Sequence, residues 1–191
     1  MIAGRRLPLL LCLLPLLTQS PQAMAKKPVN SWHLLAGFGE SHPSWGKTQQ
    51  RVKTRDLILR HQRPQERVRG EGWYLNRRST LIEIPLHWLR SHDEPPIFGV
   101  TFNACWTLVA DQQLQPYLFV GGGPAYTRAE IPGTSSKLKG VYQAGGGLRL
   151  NQEQTRLDLE FRFHHISNVG RKEPNDPLNS GKFLIGIRLG I

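Results

Sequence analysis

The stretch Arg156–Asn168 constrains the fold most, because two patterns overlap in it. Its odd positions are apolar up to Phe163, whereas its even positions carry charges of both signs. Successive side chains of a β-strand point to opposite faces, so the stretch is predicted to be a strand with one apolar and one charged face. The apolar face ends in His165 and Ser167, which places an imidazole and a hydroxyl about 6 to 7 Å apart on that face.

Two architectures explain a strand with these two faces. In a soluble all-β sandwich or lipocalin-like barrel, the apolar face lies inside and the charges lie outside. In a small transmembrane barrel, the charges pair inside and the apolar face meets lipid. The two differ in which side of the wall bears Phe161 and Phe163, and therefore also His165 and Ser167.

The first residues of the chain have the pattern of a secretory signal peptide. A charged start precedes the apolar run Leu7–Leu17, and Ala23-Met24-Ala25 is a small-residue cleavage pattern. The apolar run is too short to span a membrane. We therefore expect a signal peptide over residues 1–25 and a single domain over residues 26–191. Cys105 is the one cysteine in that domain, so no intramolecular disulfide is expected.

The rest of the chain contains further alternating segments and no clear helical periodicity. One basic and polar segment, Gln62–Arg78, fits either an extension of the second strand or a long connection. We predict an all-β fold, an eight-stranded antiparallel transmembrane β-barrel in an up-and-down meander, with an interior filled by side chains rather than a pore. The strands are expected at Ser31–Glu40, Val52–His61, Ser79–Trp88, Val100–Leu108, Pro116–Thr127, Gly140–Leu150, Leu157–Asn168 and Phe183–Ile191.

The charge of the chain indicates what it binds. The formal net charge is +11, which favours an anionic partner such as a phosphate-bearing lipid or another polyanion. Nucleic acid is not expected as a partner of an exported protein. No His, Cys or carboxylate cluster in the sequence has metal-ligand spacing, so we predict neither a metal nor another cofactor.

A motif near the end of the chain carries a family resemblance. The run His165-Ile166-Ser167-Asn168-Val169-Gly170, followed by Pro174-Asn175-Asp176 and a final alternating strand, resembles the lipid A 3-O-deacylase (acyloxyacyl hydrolase) family of outer-membrane enzymes. The resemblance implies an outer-membrane barrel with this motif near the outer rim, on the lipid-facing surface. It implies hydrolysis of an acyl ester of lipopolysaccharide, whose lipid A would be the partner, and it leaves a homodimer open.

The resemblance also implies a role for each motif residue. Ser167 would be the nucleophile and His165 the general base, while Asn168, Gly170 and Asn175 are candidates to stabilise the oxyanion. The third catalytic member of the family is a glutamate at the start of the final strand. The matching position in this chain is Asn179.

The amide at Asn179 leaves three outcomes open. An asparagine can orient an imidazole, but it stabilises the imidazolium less than a carboxylate does. The chain could therefore be a weaker hydrolase, a hydrolase with a variant triad, or a barrel that has lost activity. If the asparagine only weakens a site that works with a glutamate, Asn179→Glu should raise the rate of ester hydrolysis. The alternative function is a non-catalytic outer-membrane barrel that binds lipopolysaccharide or has a structural role.

Overall fold

The computed structural model describes residues 28–89, 94–152 and 156–190, so the predicted signal peptide over residues 1–25 lies outside the described residues. The described residues form nine strand segments and one 3-10 turn, and none of their helices is long and apolar enough to cross a membrane. The strands are β1 (Ser31–Ser41), β2 (Lys53–Arg69), β3 (Asn76–Leu89), β4 (Ile97–Gly99), β5 (Thr101–Leu108), β6 (Leu114–Tyr126), β7 (Leu138–Asn151), β8 (Arg156–Ser167) and β9 (Leu178–Leu189), and the turn is Gly72–Tyr74.

The strands form one closed antiparallel sheet. Strands that follow each other in the chain pair, apart from β4 and β5, and β1 pairs with β9 from Trp32↔Leu189 to Ser41↔Ser180, which closes the ring. The short β4 and β5 both pair with β3 and β6, so together they occupy one position. The described ring therefore has eight positions in up-and-down order, as predicted.

The second strand is longer than the predicted segment Val52–His61. β2 continues to Arg69 and β3 begins at Asn76, so most of Gln62–Arg78 is strand and the connection is short. The end of β2 is exposed on both faces, and residues that face water on both sides have no reason to alternate. The last strand also begins earlier than predicted, at Leu178 instead of Phe183.

The two faces of β8 decide between the two architectures. Glu160, Arg162 and His164 are buried inside the barrel, whereas Phe161 and Phe163 are 42% and 39% exposed. The apolar face therefore lies outside the barrel and the charged face inside. A soluble lipocalin-like barrel would have the opposite arrangement.

A closed ring of two arginines and two glutamates fills the middle of the barrel. Arg60 donates to Glu83 at 2.7 Å and to Glu160 at 2.6 Å. Arg162 donates to Glu83 at 3.0 Å and also to Glu160. Each buried charge thus contacts two charges of opposite sign, as a dry interior requires. The packed ring leaves a filled interior rather than a channel.

The longer connections lie together at one end of the barrel, here called the loop end. Beneath them, inside the barrel, a buried apolar cluster includes Ile131, Ile166 and Leu178. The described parts of the longer connections are loop 1 (residues 42–52), loop 2 (residues 94–96), loop 3 (residues 127–137) and loop 4 (residues 168–177). The cluster joins loop 3, which contributes Ile131, to the ends of β8 and β9.

Candidate active site at the loop end of β8

His165 and Ser167 lie at the loop end of β8, which ends at Ser167. They are an even number of residues from Phe161 and Phe163, so all four side chains start from the outer face of the wall. His165 is half-buried and Ser167 is 6% exposed. The pair therefore lies where the apolar outer wall meets the loops.

The imidazole of His165 has a neighbour on each adjacent strand. Its Nδ1 is 2.7 Å from Oδ1 of Asn179, which is the paired residue on β9. Tyr142 is the paired residue on β7, and its ring centroid is 5.8 Å from that of His165. A partner at Nδ1 fixes the orientation of the ring and leaves Nε2 for proton transfer.

Loop 1 holds Asn179 in turn. The side-chain Nδ2 of Asn179 donates to the carbonyl oxygen of Trp45 at 2.7 Å and to Oγ1 of Thr48 at 3.0 Å. The backbone N–H of Asn179 donates to the same hydroxyl at 3.0 Å. Trp45 and Thr48 are 134 and 131 residues away along the chain. No local pattern marks them, and the sequence reasoning missed both.

Ser167 and His165 are two residues apart on β8, but in the part of the chain that the structure describes they are not hydrogen-bonded to each other. The hydroxyl of Ser167 accepts a long hydrogen bond from the backbone N–H of Val169, at 3.4 Å. Catalytic hydrogen bonds are often long or misaligned before substrate binds. Proton transfer between the two side chains requires them to come within hydrogen-bond distance.

Asn168 organises loop 4. Its Oδ1 accepts from Nζ of Lys139 at 2.8 Å, and its Nδ2 donates to the carbonyls of Lys172 and Pro174 at 2.9 and 2.8 Å. Its backbone N–H donates to Oδ1 of Asn175 at 2.7 Å. The donors of Asn168 are thus already engaged within the loop.

Gly170 and Asn175 keep donors that the loop does not use. Across residues 28–89, 94–152 and 156–190, the backbone N–H of Gly170 and the side-chain NH₂ of Asn175 have no hydrogen-bond partner. Gly170 has φ +68°, a left-handed conformation that suits glycine. These two groups are free to bind an oxygen that develops negative charge.

Val169 joins loop 4 to the end of β8 in an unusual conformation. Its φ is +57°, which a β-branched residue rarely adopts. Its side chain packs over Gly140, the residue paired with Ser167, and a Cβ at Gly140 would lie 2.4 Å from Cγ2 of Val169. Because Gly140 has no side chain, Val169 and loop 4 can pack directly against β7 at this point. A groove of about 250 Å³ lies beside it, with Tyr142 in its lining.

Aromatic side chains cover the outer wall next to the candidate residues. The rings of Phe161 and Phe183 are 4.8 Å apart, and those of Phe183 and Phe38 are 6.2 Å apart. Trp45 of loop 1 lies 5.8 Å from Phe163. Phe38 and Phe183 also line a groove of about 1160 Å³, whose other side is charged, with Glu40, Lys53, Arg55 and Asp56. This surface can accommodate an apolar chain.

The loops around the site carry charges of both signs, with Glu130 and Glu173 exposed beside several cations. Arg128, Lys137, Arg171 and Lys172 are exposed in loops 3 and 4. Among the described residues, no three His, Cys, Asp or Glu side chains are arranged to hold a metal ion. The four exposed cations face solvent at the loop end, where an anionic group could approach them.

Residues 64–188 match the family described as Lipid A 3-O-deacylase (PagL). The matched segment is more than half of the 191-residue chain. The chain belongs to this family. Membership of the lipid A 3-O-deacylase family confirms the resemblance seen in the motif around His165 and Ser167. A search of the curated proteins found no match.

Two solved structures have the same fold. The crystal structure of the outer membrane enzyme PagL has a TM-score of 0.58 and 18% sequence identity, and the match covers 83% of this chain and 99% of that chain. The crystal structure of Neisserial surface protein A (NspA) has a TM-score of 0.51 and 12% identity, with 85% and 97% covered. At these identities the likeness establishes the architecture that this lipid A 3-O-deacylase family member adopts.

Proposed function

We propose that this chain is an outer-membrane enzyme that hydrolyses an ester-linked acyl chain of lipid A, the 3-O chain, by a serine–histidine mechanism. The observation that carries the proposal is the position of His165. It lies on the outer face at the loop end, its Nδ1 is bound to Asn179, and aromatic side chains cover the wall next to it. Family membership supports lipid A as the substrate, and the predicted signal peptide supports export.

The first chemical step forms an acyl-enzyme. Ser167 rotates toward Nε2 of His165, which takes the hydroxyl proton while Oγ attacks the ester carbonyl carbon. The carbonyl oxygen becomes an oxyanion. The unused N–H of Gly170 and NH₂ of Asn175 are the donors for it, and Asn168 supports them by holding loop 4.

The second step returns the enzyme to its starting state. The bond between the carbonyl carbon and the sugar oxygen breaks, and the leaving oxygen takes the proton from Nε2 of His165. Water then attacks the acyl-Ser167 ester with His165 again acting as base, which releases the hydroxy fatty acid and restores the hydroxyl.

The surroundings of the site suit the two parts of lipid A. The acyl chain lies on the outer wall beside Phe163 and Tyr142, with the carbonyl at the height of Ser167. The phosphates of the headgroup face the exposed cations of loops 3 and 4, such as Arg171 and Lys172. This arrangement keeps the ester at the boundary between hydrocarbon and headgroup.

Mass spectrometry of lipid A tests the proposal. Purified folded protein incubated with lipopolysaccharide should remove one ester-linked hydroxy fatty acid, and Ser167→Ala should lower that rate by at least about 10³-fold. Ser167→Ala should still form a heat-modifiable barrel on unboiled gels. Release at an unchanged rate from the folded variant would exclude Ser167 as the nucleophile.

A non-catalytic barrel that binds lipopolysaccharide is the second candidate. The missing hydrogen bond between His165 and Ser167 and the uncharged Asn179 favour it. In that case the mass of lipid A should stay unchanged in the presence of the wild-type protein, while lipopolysaccharide still co-purifies with the barrel.

A further inference from the structure

We infer that position 179 of this chain is built for an amide, and that the Trp45 carbonyl and Thr48 are the positioning groups that orient it. This inference rests on the proposed function. It makes Asn179 a positioning residue for His165 that is matched to loop 1, rather than a weakened version of a carboxylate.

The hydrogen bonds decide which atom of the Asn179 side chain faces which neighbour. A backbone carbonyl oxygen can only accept, so the atom 2.7 Å from the Trp45 oxygen must be the nitrogen of the amide. The hydroxyl of Thr48 donates its proton to the carbonyl of Pro177 at 2.9 Å. Its oxygen is therefore also an acceptor toward Asn179. Two acceptors thus hold the NH₂ group on the loop 1 side.

The orientation of the amide sets the tautomer of His165. With Nδ2 turned to loop 1, Oδ1 faces Nδ1 of His165 at 2.7 Å. Oδ1 can only accept, so Nδ1 carries the proton in the neutral ring and Nε2 carries the lone pair. This is the tautomer that a general base for Ser167 needs.

A carboxylate does not fit these surroundings. In Asn179→Asp one oxygen would face the Trp45 carbonyl and the Thr48 oxygen, which are both acceptors. The side chain is 5% exposed, so little water is available to relieve the repulsion. Gly46 closes another side, since a Cβ there would lie 3.2 Å from Nδ2 of Asn179. The longer Asn179→Glu side chain would have to displace loop 1.

The experiment compares variants of near-identical shape in the full-length folded barrel, with lipopolysaccharide as substrate. Asn179→Asp and Asn179→Glu should each lower kcat by roughly tenfold to hundredfold with little change in KM. Thr48→Val should lower kcat in the same way, and Thr48→Ser, which keeps the hydroxyl, should recover most of the rate. In an Asn179→Ala background, Thr48→Val should cost nothing further, because Thr48 acts through Asn179.

A second readout does not depend on activity. The midpoint temperature at which the folded band disappears on gels should be lower for Asn179→Asp than for Asn179→Ala, since the alanine removes the hydrogen bonds without adding repulsion. An Asn179→Asp barrel as stable as the wild type, or an Asn179→Asp or Asn179→Glu enzyme at least as fast, would overturn the inference.

The failure of this inference differs from the failure of the proposed function. If Ser167→Ala retains the wild-type rate, or the wild type releases no fatty acid, the proposed function fails and the stability comparison still tests the amide. If Ser167→Ala is inactive and Asn179→Asp is not slower, the amide inference fails and the proposed function stands.

Discussion

His164 and His165 are adjacent in the chain, yet β8 turns them to opposite sides of the barrel wall. His164 is buried, its ring lies 4.8 Å from that of His87, and its Nε2 has no hydrogen-bond partner within the described residues. His165 is half-buried, and its Nδ1 is bound to Asn179. The inner face of β8 therefore serves packing, while the outer face presents groups that can reach a substrate.

The largest expected effect is a difference in the rate of fatty acid release between variants of the two histidines. His165→Gln should lower the rate of fatty acid release on the order of 10³-fold or more, because it removes the proposed general base. His164→Gln, the matched control on the other face, should leave the rate within about threefold, since removing a group outside the reacting atoms costs little. The measurement is release of fatty acid from lipopolysaccharide by folded protein. A large loss with His164→Gln and none with His165→Gln would reverse the assignment of the two faces.

The next effect concerns the inner face. Arg162→Met removes one of the two cations of the buried ring and leaves Arg60 alone to balance both Glu83 and Glu160, so it should destabilise the barrel by about 3–5 kcal/mol. Arg51→Met is the matched control, because Arg51 forms an exposed ion pair with Glu40 at 2.6 Å and should cost less than about 1 kcal/mol.

Unfolding by urea in lipid vesicles, followed by the folded band on gels, measures both variants. The rate of fatty acid release per folded molecule of Arg162→Met should stay near that of the wild type. Equal stability of the two variants would show that the inner ring contributes no more than a surface pair.

The smallest effect concerns the contact between Gly140 and Val169. Gly140→Ala should push Val169 and loop 4 away and lower the rate roughly tenfold, because the added methyl group overpacks the contact. Val169→Ala removes the methyl groups that would clash, so the double variant should recover the rate. A double variant as slow as Gly140→Ala would mean that the loss does not arise at this contact.

The sequence predicted the wall of the barrel better than its ends. The alternation from Leu157 to Ser167 is local, with a period of two residues, so it predicted which face bears Phe161 and Phe163 without knowledge of any other strand. The end of β2 could not be assigned in the same way, because both of its faces are exposed beyond Gln62 and nothing forces alternation there.

The sequence did not predict the residues that hold the candidate site in place. The motif around His165 predicted its own residues and, through the family resemblance, the position of Asn179. It could not predict that Trp45 and Thr48 hold Asn179, because that contact depends on the register between β1 and β9. The register between the first and last strands is set when the barrel closes, so no short stretch of sequence predicts it.

The pairing of β1 with β9 determines when the candidate active site becomes complete during assembly. His165 is on β8, its orienting amide is on the last strand, and the groups that hold this amide follow the first strand. A chain whose first and last strands have not yet paired would carry the proposed nucleophile and base, but Asn179 would not yet be held by loop 1. Under the proposed function, efficient hydrolysis would therefore begin only after β1 and β9 pair and close the barrel.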